Sequence, residues 1–191
     1  MKTFLIFYVL FLAISLPLST SSFDTLHAGS SLSVENQNVD VLVSSNGVFS
    51  AGFHTVGDNA YSFAVWFTQT QPSPYGNNDR TVVWMANRDK PVNAEGSKLT
   101  LLKTGNLILN DADRIIIWAT GMASIALPQT QLRLYDTGNV VLLTSGPGDD
   151  TVLWQSFSSP MDTLLPEQPL TRYGGLVSSS SKSNFFLAAE L

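Results

Sequence analysis

The sequence predicts an all-β fold assembled from three hairpin-rich units around a common axis. Three features carry that prediction. Short segments rich in β-branched and aromatic residues alternate with Gly, Asn, Asp, Ser and Pro along most of the chain. Helical periodicity is confined to the first residues. A strand–turn–strand pattern also recurs, and a unit of that size cannot bury its own apolar face, so its copies must share one core.

Along the chain, Met1-Lys2 supply a positive start, Phe4 to Leu16 is apolar and uncharged, and residues 17–22 turn small and polar. That order is the order of a secretory signal peptide, and the apolar run is too short to span a bilayer. The expected layout is a signal peptide over 1–22, one domain over 23–172 and a divergent or truncated tail over 173–191. No later apolar stretch reaches spanning length, so the mature chain is expected outside the cell with no membrane span. Strands are predicted at residues 30–35, 40–45, 48–53, 61–67, 81–87, 98–103, 106–111, 115–120, 131–136, 139–144 and 151–157. The stretch 68–80 holds two prolines and Gly76-Asn77-Asn78-Asp79, which predicts a surface loop.

Composition sets bounds. With 191 residues, 44% of them hydrophobic, the chain can bury a full core and is not disordered. The net charge of −5 and the lack of any basic run argue against nucleic acid or an anionic membrane as partner. There is no cysteine, so an exported domain of this kind depends on packing alone. No Asn is followed two residues on by Ser or Thr, so N-glycosylation is not expected.

The repeat is clearest between residues 98–109 and 131–142, whose Thr-Gly-Asn turns end at Asn106 and Asn139. Each copy is followed by a β-branched run ending in tryptophan, at Trp118 and Trp154. A looser third copy is read at Val41 to Phe49 followed by Phe63-Ala64-Val65-Trp66, and Trp84 also follows a β-branched pair. Trp118 and Trp154 are expected to be buried near the axis. Gly105 and Gly138 are expected at positive φ, where a side chain is penalised.

Two segments then resemble a known family. Val83-Trp84-Met85-Ala86-Asn87-Arg88-Asp89-Lys90-Pro91 and Trp154-Gln155-Ser156-Phe157, continuing to Pro160 and Asp162-Thr163-Leu164-Leu165-Pro166, are similar to signature stretches of the bulb-type lectin domain. Over about residues 28–172 the chain resembles the ectodomain lectin module of plant S-locus-type receptor-like kinases. Ser158 and Met161 depart from the family's usual Asp and Thr. The resemblance implies a β-prism of three four-stranded sheets with pseudo-threefold symmetry. It implies recognition of a glycan of mannose or cell-wall type, or else of a protein ligand or another receptor ectodomain, with room for a homodimer. The chain reads as a truncated relative without the receptors' kinase.

Mannose-binding members carry Gln-x-Asp-x-Asn-x-Val-x-Tyr along an extended chain, whose period of two sets the five named residues on one face. Laid on the last copy, the pattern falls on Tyr135, Thr137, Asn139, Val141 and Leu143. On the middle copy it falls on Leu102, Thr104, Asn106, Ile108 and Asn110, and on the first on Val43, Ser45, Gly47, Phe49 and Ala51. Asn and an aliphatic survive in two copies, whereas Gln, Asp and Tyr are lost, so the motifs are degenerate. The candidate carbohydrate-binding residues are Asn139, Thr137, Val141, Tyr135, Asn106 and Thr104, with Asn139 the best remaining polar anchor. The same Thr-Gly-Asn also reads as a plain hairpin turn.

Catalytic readings fail. His27 and His54 are the two histidines and have no metal-ligand spacing. Gly-x-Ser-x-Gly is missing, and no His precedes Arg88-Asp89 as a kinase catalytic loop requires. Gly146-Pro147-Gly148 lacks the third glycine of a phosphate loop. Neither enzyme activity, cofactor nor metal is expected.

Overall fold

The computed structural model describes residues 23–68, 80–93, 95–122, 129–146, 148–169 and 176. The expected signal peptide, most of the 68–80 loop and nearly all of the C-terminal tail lie outside the described residues.

Among the described residues, thirteen strands form three antiparallel sheets. Strands β3 (Leu42–Val43), β4 (Phe49–Gly57), β5 (Ala60–Phe67) and β6 (Val82–Met85) make sheet I in that order, and β7 (Val92–Asn93) adds to β5. Sheet II runs β2 (Ser31–Ser33), β8 (Lys98–Leu101), β9 (Leu107–Asn110) and β10 (Ile116–Ala119). Sheet III runs β1 (Thr25–His27), β11 (Thr130–Leu134), β12 (Val140–Ser145) and β13 (Asp150–Gln155). Every sequence-predicted strand is present, mostly trimmed at its ends. Sheet I has five strands rather than four, because β7 also pairs with β5. Strands β1 and β7 escaped prediction. The N-terminal strands β1 and β2 thus complete the sheets of the two later repeats, tying the start of the domain to its end.

Equivalent pairs from each sheet meet in the centre. Phe53 faces Phe63, Leu101 faces Leu107, and Leu134 faces Val140. One step along, Ala51 faces Val65, Leu99 faces Leu109, and Leu132 faces Leu142. All twelve are essentially inaccessible to solvent. Fully burying a large aliphatic or aromatic side chain contributes about 1.5–3 kcal/mol, which is how a chain without disulfides can hold together.

The last strand of each sheet carries a bulge at one shared place. Val83, Ile117 and Leu153 are the extra residues, each directly before a tryptophan. A bulge adds a residue without a cross-strand partner and re-aims the next side chain. Here it turns Trp84, Trp118 and Trp154 inward, opposite Val65, Leu109 and Leu142. One indole from each sheet therefore meets the others, with ring centroids 6.4, 5.8 and 5.5 Å apart. Trp84 is buried, while Trp118 and Trp154 are half-buried at the rim of the core rather than enclosed.

This trio corrects the first repeat. Its tryptophan is Trp84, and its central hairpin is β4–β5, not the β3–β4 turn at Gly47. Trp66 lies on the outer face of sheet I, paired with Ser50.

Candidate functional site

The two Thr-Gly-Asn turns have the expected backbone: φ is 85° at Gly105 and 83° at Gly138. Each asparagine then makes a similar internal clasp. Asn106 Oδ1 accepts from Thr120 Oγ1 at 2.9 Å, and that hydroxyl oxygen accepts the Leu107 N–H at 3.2 Å. Asn139 Oδ1 accepts from Ser156 Oγ at 3.1 Å, and Ser156 accepts the Val140 N–H at 3.0 Å. In sheet I the same task falls to Asn87, whose carbonyl accepts the Phe63 N–H directly at 2.9 Å. These bonds satisfy a backbone donor in the second strand of each hairpin, which would be costly to leave buried and unpaired.

The copies differ in what remains free. Asn139 also accepts the Phe157 N–H at 3.2 Å and donates its amide to Gln155 Oε1 at 2.9 Å. It is 9% exposed, and Val141 and Leu143 are 4% and 1% exposed. Asn139 is thus engaged inside the protein, and of its copy only Tyr135 and Thr137 offer a substantial surface. Tyr135 carries the Arg133 guanidinium 5.4 Å from its ring centre, and the Thr137 hydroxyl accepts the Asn139 N–H at 3.5 Å. The Asn139 side chain is bonded to Gln155 at the end of β13 and to Ser156 and Phe157 in the turn that follows.

In sheet II all five pattern positions stay accessible: Leu102, Asn106, Ile108 and Asn110 are half-buried and Thr104 is exposed. The intervening Leu107 and Leu109, and Leu101 before them, point into the core. Among the described residues the Asn106 amide nitrogen donates to no partner, whereas its Oδ1 accepts from Thr120. Ile108 and Asn110 open into a groove of about 510 Å³ edged by Lys98, Arg114 and Ile116.

Sheet I has a matching groove of about 440 Å³, lined by Asn38, Val41, Val43, Ser50, Trp66, Thr68 and Arg80. Ser50 and Thr68 share a hydrogen bond of 2.6 Å, and the Arg80 guanidinium lies 4.5 Å from the Trp66 ring centre.

One charged group ties the sheets down. Asp24 Oδ2 accepts from Arg133 Nε at 3.1 Å and from Ser45 Oγ at 3.1 Å, and Asp24 Oδ1 accepts from Thr25 Oγ1 at 2.7 Å. Burial pushes its carboxyl upward, but the bonds from Thr25 and Ser45 and the Arg133 charge outweigh this and hold it below the usual aspartate range. Among the described residues no cluster of three or more His, Asp or Glu could hold a metal. No helix of the described residues is long and apolar enough to cross a membrane.

The family model described as D-mannose binding lectin matches residues 81–182, more than half of the chain. The chain belongs to this lectin family. It is 34% identical over 173 residues to the G-type lectin S-receptor-like serine/threonine-protein kinase SRK of Arabidopsis thaliana, covering 89% of this chain and 19% of the relative. It is 35% identical over 130 residues to the similarly titled kinase At1g11280 of the same plant, covering 68% of this chain and 15% of that one. The lectin domain therefore spans under a fifth of these relatives' length. Among solved structures, a monomeric monocot mannose-binding lectin from Gastrodia elata aligns with a TM-score of 0.46 and 21% identity, over 70% of this chain and 96% of that one. The mannose-specific agglutinin from snowdrop (Galanthus nivalis) bulbs aligns with a TM-score of 0.45 and 16% identity, over 66% and 94%.

The register of the lectin domain relocates its first pattern copy. Phe63 takes the place of Leu107 and Val140, so Ser62, Ala64 and Trp66 hold the Asn, Val and Tyr places in sheet I. The copy read at Val43 to Ala51 fails because Phe49 and Ala51 turn into the core. Sequence reasoning missed Trp66 and Arg80 as groove residues because Trp66 looked like the core tryptophan. The better signal was the β-branched pair before Trp84.

Proposed function

We propose that this chain is a carbohydrate-recognition domain of the receptor-kinase ectodomain kind, exported by the segment 1–22 and acting outside the cell. The domain runs from about residue 23 to 172. Its sugar contacts lie on the outer face of sheet II. The observation that supports this reading is that the β8–β9 hairpin keeps all five pattern positions accessible while its clasp stays intact. The Asn106 amide donates to sugar hydroxyls, Ile108 floors the groove, and Thr104 and Asn110 supply further polar contact. Without a carboxylate to form the stronger charge-assisted bonds, the affinity for one mannose unit is weak, in the millimolar range, about −4 kcal/mol. Useful affinity would come from longer glycans touching several groups. The test is a glycan array with the mature domain and with Asn106→Ala and Ile108→Asp. Both substitutions should remove the signal, and an array pattern indifferent to both would refute the assignment.

A protein ligand is the second reading. Ile115 and Ile116, each 57% exposed beside the edge of sheet II, favour it. If the array stays blank while a receptor ectodomain is retained in a pull-down, this reading replaces the first.

A further inference from the structure

The groove on sheet I differs from its counterparts in charge and in lining. Val82, Ile116 and Val152 face the last pattern position of their sheets. Two residues before each stand Arg80, Arg114 and Asp150, so sheets I and II offer a cation at this place and sheet III offers an acid. Arg114 is exposed, whereas Arg80 is half-buried. Its guanidinium lies over the Trp66 indole, 4.5 Å from the ring centre. Arg80 makes no ion pair among the described residues. A guanidinium held over an indole by cation–π attraction still carries five N–H donors, in a planar fork that can match a carboxylate bidentately.

Around that cation the lining is neutral and matched to hydroxyls. Ser50 is buried and shares a hydrogen bond with Thr68, whose half-buried hydroxyl keeps lone pairs to offer. Asn38 adds a donor and an acceptor, and Val41 and Val43 supply apolar surface. The volume of about 440 Å³ falls within the usual range of ligand pockets, roughly 300–1,000 Å³. Strands β4 and β5 are interior to the sheet, and β3, the edge strand whose Val43 lines the groove, already donates its Val43 N–H to the Phe23 carbonyl at 3.0 Å.

From these observations we infer that the sheet-I groove is a second saccharide site, selective for a carboxylate-bearing sugar such as a hexuronate unit. The carboxylate sits on Arg80, and the ring hydroxyls sit on the half-buried Thr68 and the exposed Asn38. The chain as a whole carries a charge of −5, so the attraction is local to Arg80 and not a property of the surface. This site does not depend on the sheet-II reading.

The test is calorimetry of the folded chain with oligogalacturonate, its methyl-esterified form and a glutamate-rich peptide. The acid oligosaccharide should bind saturably, and the ester at least tenfold more weakly. Arg80→Gln should weaken acid binding at least tenfold with the melting temperature unchanged. Arg80→Lys, which keeps the charge but not the fork, should recover part of the loss. Asn106→Ala, which removes the sheet-II anchor, should leave it intact, so the two sites fail separately. Three results would each overturn the proposal: no binding of the acid form, binding unaffected by Arg80→Gln, or equally tight binding of the acidic peptide. If Arg80→Gln does not fold, the ester comparison and Arg80→Lys still decide.

Discussion

Gly138 and Gly105 occupy equivalent hairpin turns, yet replacing them by alanine should not be equivalent. Both have φ near +85°, at 83° and 85°. An L-residue pays about 1–2 kcal/mol there, partly offset because alanine reduces the entropy of the unfolded chain by about 0.4–1 kcal/mol. The backbone alone predicts a loss of about 1 kcal/mol at each site. The surroundings then separate them. A Cβ on Gly138 would stand 2.7 Å from Leu165 Cδ1 and 2.9 and 3.0 Å from two carbons of the Phe49 ring. A Cβ on Gly105 would meet nothing closer than Thr130 Oγ1 at 3.5 Å. Carbon pairs settle at about 3.5–4.0 Å, so Leu165 and Phe49 must retreat by roughly 0.5–1 Å, and both are buried. Overpacking of that kind costs about 1–3 kcal/mol. Gly138→Ala should therefore lose about 2–4 kcal/mol in total and Gly105→Ala about 1. Urea denaturation monitored by tryptophan fluorescence reads both, with the m-values checked for agreement. Equal losses at the two sites would refute the packing argument, and no loss at either would refute the turn geometry.

Three further perturbations have defined outcomes. Trp118→Ala or Trp154→Ala should cost about 2–4 kcal/mol, below the figure for an enclosed tryptophan because both are half-buried, and thermal unfolding will show it. Asn139→Ala should destabilise by about 1–3 kcal/mol by leaving the Phe157 N–H and the Ser156 hydroxyl without their acceptor, while the more open Asn106→Ala costs less in the same assay. Asp24 has a folded-state pKa below its unfolded one, so its contribution is present above the ordinary aspartate value and lost as pH falls through the depressed one. The melting temperature should fall on acidification below about pH 5, and Asp24→Asn should flatten that acid-side slope.

Much of the fold is legible in the sequence because strands signal through alternation and turns through glycine. Leu99, Leu101, Leu107 and Leu109 alternate with polar or half-buried neighbours, as do Leu132 and Leu134, and both Thr-Gly-Asn turns mark their hairpins. The first repeat is harder to see. Its hairpin tip carries Asp58-Asn59 in place of Thr-Gly-Asn, with Asn59 at φ 52°, so no motif marks it. A bulge next to each inward tryptophan also breaks the alternation that would tell Trp84 from Trp66. At the site, the motif pattern treats Asn106 and Asn139 alike. Their difference lies in Gln155 and the turn after it, a contact between residues 16 positions apart that local sequence does not display.

The proposal that sheet II presents a working but depleted sugar face is tested most directly by rebuilding the motif there. Leu102→Gln, Thr104→Asp and Asn110→Tyr together restore the mannose pattern around Asn106 and Ile108, and none of the three positions is buried. Calorimetry of this triple variant against mannose should show affinity rising at least tenfold over the unaltered chain, with the melting temperature unchanged. Each regained charge-assisted bond contributes about 1.5–3 kcal/mol, and about 1.4 kcal/mol is tenfold. A folded triple variant that binds mannose no better than the original would contradict the claim that this face recognises sugar.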